Sequence, residues 1–123
     1  MRRVKPNRKR ETRISLEVLV EAYESWERAM GWHCYLQDKL TFPFTAKCTG
    51  KRIISPLRVG EVVDVVGMAP EKECRCEVFV VTRWQAKGRL AVPLAQLEVL
   101  RGDAKTREAV RDWHYWIARG YEF

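Results

Sequence analysis

The sequence predicts an α+β fold in which a small SH3-like five-stranded barrel is flanked by an N-terminal and a C-terminal helix. Apolar residues follow helical spacing near both ends of the chain, and short β-type segments separated by glycine and proline lie between them. With 123 residues, 46% of them hydrophobic, the chain is long enough to bury one core but not two. We therefore expect a single domain over residues 15–123 and a flexible basic arm over residues 1–14.

The basic arm holds most of the positive charge of the chain. Residues 1–14 contain seven Lys and Arg but one acidic residue, which is +6 of the formal net charge of +7. Because this run has no apolar pattern, we interpret it as a polycationic tether that attracts phosphates without reading a base sequence. Its candidate nucleic-acid contacts are Arg2, Arg3, Lys5, Arg8, Lys9, Arg10 and Arg13.

The first predicted helix follows the arm. Ser15 can cap it, and the helical rhythm continues to about Leu40. The spacing of its apolar residues predicts one buried stripe. That stripe consists of Leu16, Leu19, Tyr23, Trp26 and Met30.

Five short strands are predicted between this helix and the C-terminal one. They cover residues 44–48, 61–68, 76–84, 89–92 and 98–100. Lys87 and Gly88 are expected to form a tight turn before the fourth strand, and one 3₁₀ turn over residues 93–97 to precede the fifth. Closure removes exposed sheet edges, so this arrangement favours a small barrel.

The last predicted element is a helix near the C-terminus. Asp103 can cap its start, and Gly120 supplies a stop. Val110, Trp113 and Ile117 form its expected inner stripe. Most of the five Trp residues are likewise expected to fill the core rather than to stack on bases.

The sequence also argues against several classes of protein. No run approaches the roughly 20 apolar residues that span a bilayer, so we predict a cytoplasmic protein with no membrane partner. Cys74 and Cys76 are one residue apart on a strand and point to opposite faces, which does not suit zinc. No paired nucleophile and base, and no phosphate-binding glycine loop, is recognisable, so we predict that the protein is not an enzyme.

Acidic residues are the remaining candidates for a metal site. The chain has no DxDxDG loop, which excludes an EF-hand. A site for a hard cation would instead use surface carboxylates that the fold brings together. The candidates are Glu21, Glu24, Glu27, Asp38, Glu71 and Glu73.

Five short motifs occur in order along the chain: RAMGW, FPF, GMAP, AVPL and WHYW. With the segments around them, which cover residues 27–48, 55–74, 90–100 and 112–123, they resemble the small bacterial calcium-binding proteins of the cyanobacterial type. The resemblance extends over nearly all of the chain after Thr12. It implies a compact α+β domain that binds calcium through surface carboxylates and without an EF-hand.

This chain differs from that family in its charge. Ser25 and Trp26 occupy positions that are often acidic in the family, while the six candidate carboxylates still match it. Fewer carboxylates raise the local potential, so the resemblance implies weak calcium binding by a non-enzymatic protein. The alternative hypothesis is a nucleic-acid or ribonucleoprotein accessory protein that binds phosphates, or an acidic protein partner, through the basic arm.

Overall fold

A computed structural model describes residues 4–86 and 88–123 of the chain. Its three helices are α1 (Arg8–Arg13), α2 (Ser25–Lys39) and α3 (Ala104–Ala118). Its five strands are β1 (Phe44–Cys48), β2 (Val62–Met68), β3 (Phe79–Trp84), β4 (Gly88–Pro93) and β5 (Leu97–Arg101). Short helical turns lie at Ile14–Val18, which is π-helical, and at Glu71–Glu73 and Leu94–Gln96, which are 3₁₀. The α+β class and the five strands are therefore as predicted.

All five strands belong to one antiparallel sheet with the order β4-β3-β2-β1-β5. Strand β1 lies between β2 and the edge strand β5, and its Ala46 pairs with Val63 of β2 and with Val99 of β5. Alternate residues along β1 and in the middle of β2 face the core, as the pleat requires. Val63 and Val65 are thus buried while Val62 is exposed.

The closed SH3-like barrel is not confirmed. Within residues 4–86 and 88–123, no pairing joins the edge strands β4 and β5, so the sheet is open. Helices α2 and α3 pack on the sheet through β2 and β5, and the core lies between the helical and the sheet layers. Of the turn predicted at Lys87 and Gly88, Lys87 lies outside the described residues.

Aromatic residues fill the space between the two long helices. The ring centroids of Trp32 on α2 and Trp113 on α3 are 5.1 Å apart, and Trp116 stacks on Trp113 at 5.6 Å. Such offset and edge-to-face contacts stabilise a core beyond the area that they bury. The prediction that tryptophans are internal is correct for these three but wrong for Trp26, which is exposed.

The predicted N-terminal helix is not continuous. The chain forms α1, the π-helical turn and α2, and the backbone leaves the helical path at Glu21, whose φ is 53°. As a consequence Ile14 and Val18 are buried, whereas the predicted stripe residues Leu16 and Tyr23 face solvent. The interruption re-aims α2, so its buried face is formed by Trp32, His33, Tyr35 and Leu36.

The arm that the sequence predicts to be flexible is folded from residue 8 onward. Helix α1 begins after Asn7, whose side-chain oxygen accepts a hydrogen bond from the Arg10 backbone. Arg10 and Arg13 then reach across to the fully buried Asp112 on α3. These ion pairs join the N-terminal segment to the domain, which corrects the expectation of a free tether over this part of the arm.

Candidate metal site

The structure places the six candidate carboxylates in three separate regions. Glu21 and Glu24 precede α2, and Glu27 lies in its first turn. Asp38 lies in the last turn of α2, at the opposite end of a helix of 15 residues. Glu71 and Glu73 belong to the 3₁₀ turn that follows β2.

The carboxylate of Glu27 is used to cap α2. It accepts hydrogen bonds from the backbone amides of Glu24, at 2.9 Å, and Tyr23, at 3.3 Å. These amides would otherwise lack an intrahelical partner, so the contact fixes the start of the helix. Glu27 therefore has less capacity to bind a cation than its sequence position suggests.

Asp38 has an acidic neighbour that the sequence analysis did not include among the candidates. The ammonium of Lys39 lies 3.8 Å from Asp38 Oδ2 and 3.7 Å from Oε1 of Glu17. These side chains line one shallow cleft of about 400 Å³, together with Val18, Gly31, Cys34 and Tyr35. We call it the Glu17–Asp38 cleft, and it already holds a positive charge between two carboxylates.

Gly31 explains why Glu17 and Asp38 meet. A Cβ built on Gly31 would lie 2.3 Å from the backbone oxygen of Val18, which is closer than any side chain tolerates. Only glycine therefore lets α2 approach the π-helical turn that carries Glu17. The glycine of the RAMGW motif was the available sequence signal for this contact.

The second pair of carboxylates lies beside cations. Glu71 lines a broad cleft of about 600 Å³ together with Lys72 and Arg75, and the opposite wall comes from Ser25, Trp26, Ala29 and Met30 of α2. Glu73 is exposed in the same 3₁₀ turn. The two adjacent basic residues reduce the negative potential that these carboxylates create.

The candidate carboxylates would supply only a few of the ligands of a metal ion. In the part of the chain that the structure describes, no three His, Cys, Asp or Glu side chains form a group that could hold a metal ion. Calcium takes six to eight oxygen ligands, so a pair of carboxylates leaves most positions to backbone oxygens or water. Oxygen is nevertheless the donor that calcium prefers, which both pairs supply.

The histidines and cysteines are placed for structural roles. Each histidine donates from Nε2 to a backbone carbonyl, His33 to Ala69 at 2.8 Å and His114 to Leu97 at 2.6 Å. Burial lowers the pKa of His114, although the bond to Leu97 acts in the opposite direction. Burial also raises the pKa of the Cys74 thiol, which keeps it protonated and a poor metal ligand.

The cations proposed for nucleic-acid binding are divided by the fold. Arg10 and Arg13 are engaged by Glu108 and Asp112, whereas Lys5, Arg8 and Lys9 are exposed. Arg2 and Arg3 lie outside the described residues. Phosphate binding by the arm stays a prediction, and within residues 4–14 it would depend on the three exposed cations.

A family model for calcium binding, that of CcbP, matches residues 12–117. The chain belongs to the CcbP family. Over its full length it is similar to the crystal structure of Anabaena CcbP, with a TM-score of 0.88, 39% sequence identity and 100% of both chains covered. It is also similar to a calcium binding protein in the calcium-binding form, with a TM-score of 0.86, 38% identity and 100% of both chains covered. No curated protein matches the chain.

Membership of the CcbP family confirms the resemblance inferred from the five motifs. The match begins within α1, so it includes the π-helical turn with Glu17 as well as α2 and the sheet. No helix in the described ranges is long and apolar enough to cross a bilayer.

Proposed function

We propose that this CcbP-family protein binds calcium weakly through surface carboxylates, with the Glu17–Asp38 cleft as the main site. The observation that carries the proposal is the full-length similarity, at 38% identity, to a calcium binding protein in the calcium-binding form. The described structure adds a chemical reason for choosing this cleft. Two carboxylates from different elements already approach one cation there, the ammonium of Lys39.

The same contact accounts for weak affinity. Calcium and Lys39 would compete for the two carboxylates, because neither carboxylate can satisfy both cations fully. Calcium affinity rises with the number of charged ligands and with the rigidity of the site. The cleft offers two carboxylates, and Asp38 is mostly exposed, so its charge is well screened by water.

Glu71 and Glu73 form the second candidate position, and Glu21 and Glu24 remain candidates near the start of α2. Lys72 lies between Glu71 and Glu73 in sequence, and Arg75 lines the same cleft as Glu71. We therefore expect this position to bind calcium more weakly than the Glu17–Asp38 cleft. When bound, calcium would supply a double positive charge that holds neighbouring carboxylates together.

Calcium titration calorimetry on three proteins tests the proposal. The wild type should release or absorb heat with a weak, saturable isotherm, and Asp38→Asn should weaken binding. Lys39→Gln should strengthen it, since the competing ammonium is removed while both carboxylates remain. A matched variant, Lys105→Gln, removes the same charge from an exposed position on α3 and should leave calcium affinity almost unchanged.

Two further variants test Glu71 and Glu73, the second candidate position. An Asp38→Ala, Glu71→Ala, Glu73→Ala variant should lose calcium binding at both positions, whereas Glu71→Gln with Glu73→Gln should retain the stronger site. Absence of a calcium-dependent heat in the wild type over a range of temperatures contradicts calcium binding itself. Unchanged affinity in both Asp38→Asn and Lys39→Gln contradicts the choice of cleft.

A further inference from the structure

The connection between β1 and β2 presents two large aliphatic side chains at its tip. Ile53 and Ile54 are the central residues of a turn closed by a hydrogen bond of 3.2 Å from the Ser55 amide to the Arg52 carbonyl. Ile53 is 101% exposed and Ile54 is 60% exposed. Central turn positions favour glycine, asparagine, aspartate and proline, so two adjacent β-branched residues there oppose local preference. Such local conflicts are typical of functional positions.

A second turn in the same connection repeats the pattern. The Glu61 amide donates to the Arg58 carbonyl at 3.0 Å, and Val59 at the corner is 65% exposed. The three aliphatic residues Ile53, Ile54 and Val59 are called the aliphatic tip below. All of them protrude from the connection, and none contributes to the core of the domain.

The aliphatic tip rests on an anchored loop. The guanidinium of Arg52 binds both carboxylate oxygens of Glu77, at 3.1 and 2.6 Å. Leu57 inserts into the core, and the Thr49 amide donates to the Gln96 carbonyl at 2.8 Å. Because the loop is held at Thr49, Arg52 and Leu57, the apolar side chains extend from an anchored backbone.

Cations accompany the aliphatic tip. Lys51 and Arg58 are exposed, and within the described residues neither takes part in an ion pair. The nearest acidic residue in the loop, Glu61, accepts a hydrogen bond from the Arg58 backbone at 3.0 Å. The loop therefore combines exposed aliphatic side chains with exposed positive charge.

We propose that the aliphatic tip docks on the surface of an anionic lipid bilayer. Ile53 and Ile54 would enter the boundary between headgroups and acyl chains, while Lys51 and Arg58 would contact lipid phosphates. Exposed aliphatic side chains and exposed cations on one loop suit a bilayer, which buries protruding aliphatic groups and attracts nearby cations. The protein would lie on the membrane and not span it, so this proposal departs from the sequence-based prediction of no membrane partner.

Cosedimentation with vesicles tests this proposal. A calcium chelator is present throughout, so that vesicle binding does not depend on the proposed calcium site. The full-length protein should bind phosphatidylcholine vesicles that contain phosphatidylserine and bind weakly to phosphatidylcholine alone. Ile53→Ser with Ile54→Ser should lower the partition coefficient by about tenfold or more, from the apolar area no longer buried. Lys51→Gln with Arg58→Gln should lower binding at low salt and change little at high salt.

The matched control removes exposed aliphatic area elsewhere without touching the loop. Leu16 and Val20 are 69% and 60% exposed, and Leu16→Ser with Val20→Ser should bind vesicles like the wild type. Equal thermal stability of the variants, measured by circular dichroism, excludes misfolding as the cause of a loss. Failure of the wild type to bind anionic vesicles overturns the proposal and would leave the tip to a protein contact. Equal binding by the Ile53→Ser, Ile54→Ser variant overturns it too, because attraction by the basic arm would then suffice.

Discussion

Arg13 binds Asp112 through two parallel hydrogen bonds, from Nε at 2.8 Å and from Nη2 at 2.6 Å. The carboxylate is fully buried, and it also accepts hydrogen bonds from Arg10 at 2.7 Å and from the Tyr35 hydroxyl at 2.8 Å. A single side chain on α3 thus holds α1 and α2. These contacts compensate the buried charge of Asp112, and they attach the N-terminal segment to the domain.

Replacing Asp112 should destabilise the protein strongly. Asp112→Asn leaves Arg10 and Arg13 beside a neutral amide, and breaking one side of a buried ion pair typically costs about 3 kcal/mol or more. Urea unfolding monitored by circular dichroism measures the change. Asp64→Asn is the matched control, because its pair with Arg83 is exposed and should contribute less than about 1 kcal/mol. A loss no larger than that of the control would contradict the role given to Asp112.

The same carboxylate predicts a dependence of stability on acid. Burial alone would raise the pKa of Asp112, but hydrogen bonds from Arg13, Tyr35 and Arg10 outweigh it and lower the pKa below the ordinary 3.8. A lowered pKa in the folded state means that Asp112 stabilises fully above pH 3.8 and loses this effect as the pH falls through its folded pKa.

Urea unfolding between neutral pH and about pH 2 measures this effect. The wild type should lose more stability on acidification than Asp112→Asn, so the difference between the two proteins narrows at low pH. A difference that stays constant from neutral to acid pH would show that Asp112 stabilises the fold without its charge.

The regular elements were predictable because their signals are local. Asp103 accepts a hydrogen bond from the Thr106 amide at 2.8 Å and caps α3, as its position before the helix predicts. The short β-type segment predicted over residues 44–48 likewise coincides with β1, from Phe44 to Cys48. Caps and strand alternation involve residues a few positions apart, so the sequence contains the whole signal.

Two features were not predictable in the same way. One is the interruption before α2, and the other is the set of ion pairs that Arg10 and Arg13 form with Asp112 on α3. Leu16, Tyr23 and Trp26 have helical spacing, but Ile14 and Val18 have it as well, and spacing alone does not decide which stripe is buried. The pairing of Arg13 with Asp112 joins residues that are 99 positions apart, and no local pattern encodes it. The basic arm therefore looked unpatterned, although two of its arginines have fixed partners.

Gly31 should be far less replaceable than Gly67. Gly31→Ala would place a methyl group against the Val18 backbone oxygen and force α2 away from the π-helical turn, at a cost of about 2 kcal/mol or more. Gly67→Ala is the control, since a Cβ at that position meets no atom within 4 Å. Thermal unfolding of the two variants gives the comparison.

A loss of calcium affinity should accompany the loss of stability in Gly31→Ala. Moving α2 separates Asp38 from Glu17, so Gly31→Ala should also weaken calcium binding under conditions where the variant remains folded. Equal melting temperatures for Gly31→Ala and Gly67→Ala would contradict the close approach of α2 to Val18.

The sequence predicts the ligand and the type of side chain at the candidate site, but only some of the residues that form it. The motifs indicated calcium and surface carboxylates, and Asp38 is among their candidates. They did not identify Glu17, because its proximity to Asp38 follows from the packing of α2 on the turn at Val18. They also counted Glu27 as a candidate ligand, although its carboxylate caps a helix.

The most direct test of weak calcium binding at the Glu17–Asp38 cleft is an anomalous difference map from crystals grown or soaked in calcium. We expect a peak beside the carboxylates of Asp38 and Glu17, with the Lys39 ammonium displaced from its position between them. A map that has no peak at this cleft, in crystals where calcium occupies other carboxylates or none, would contradict the central claim.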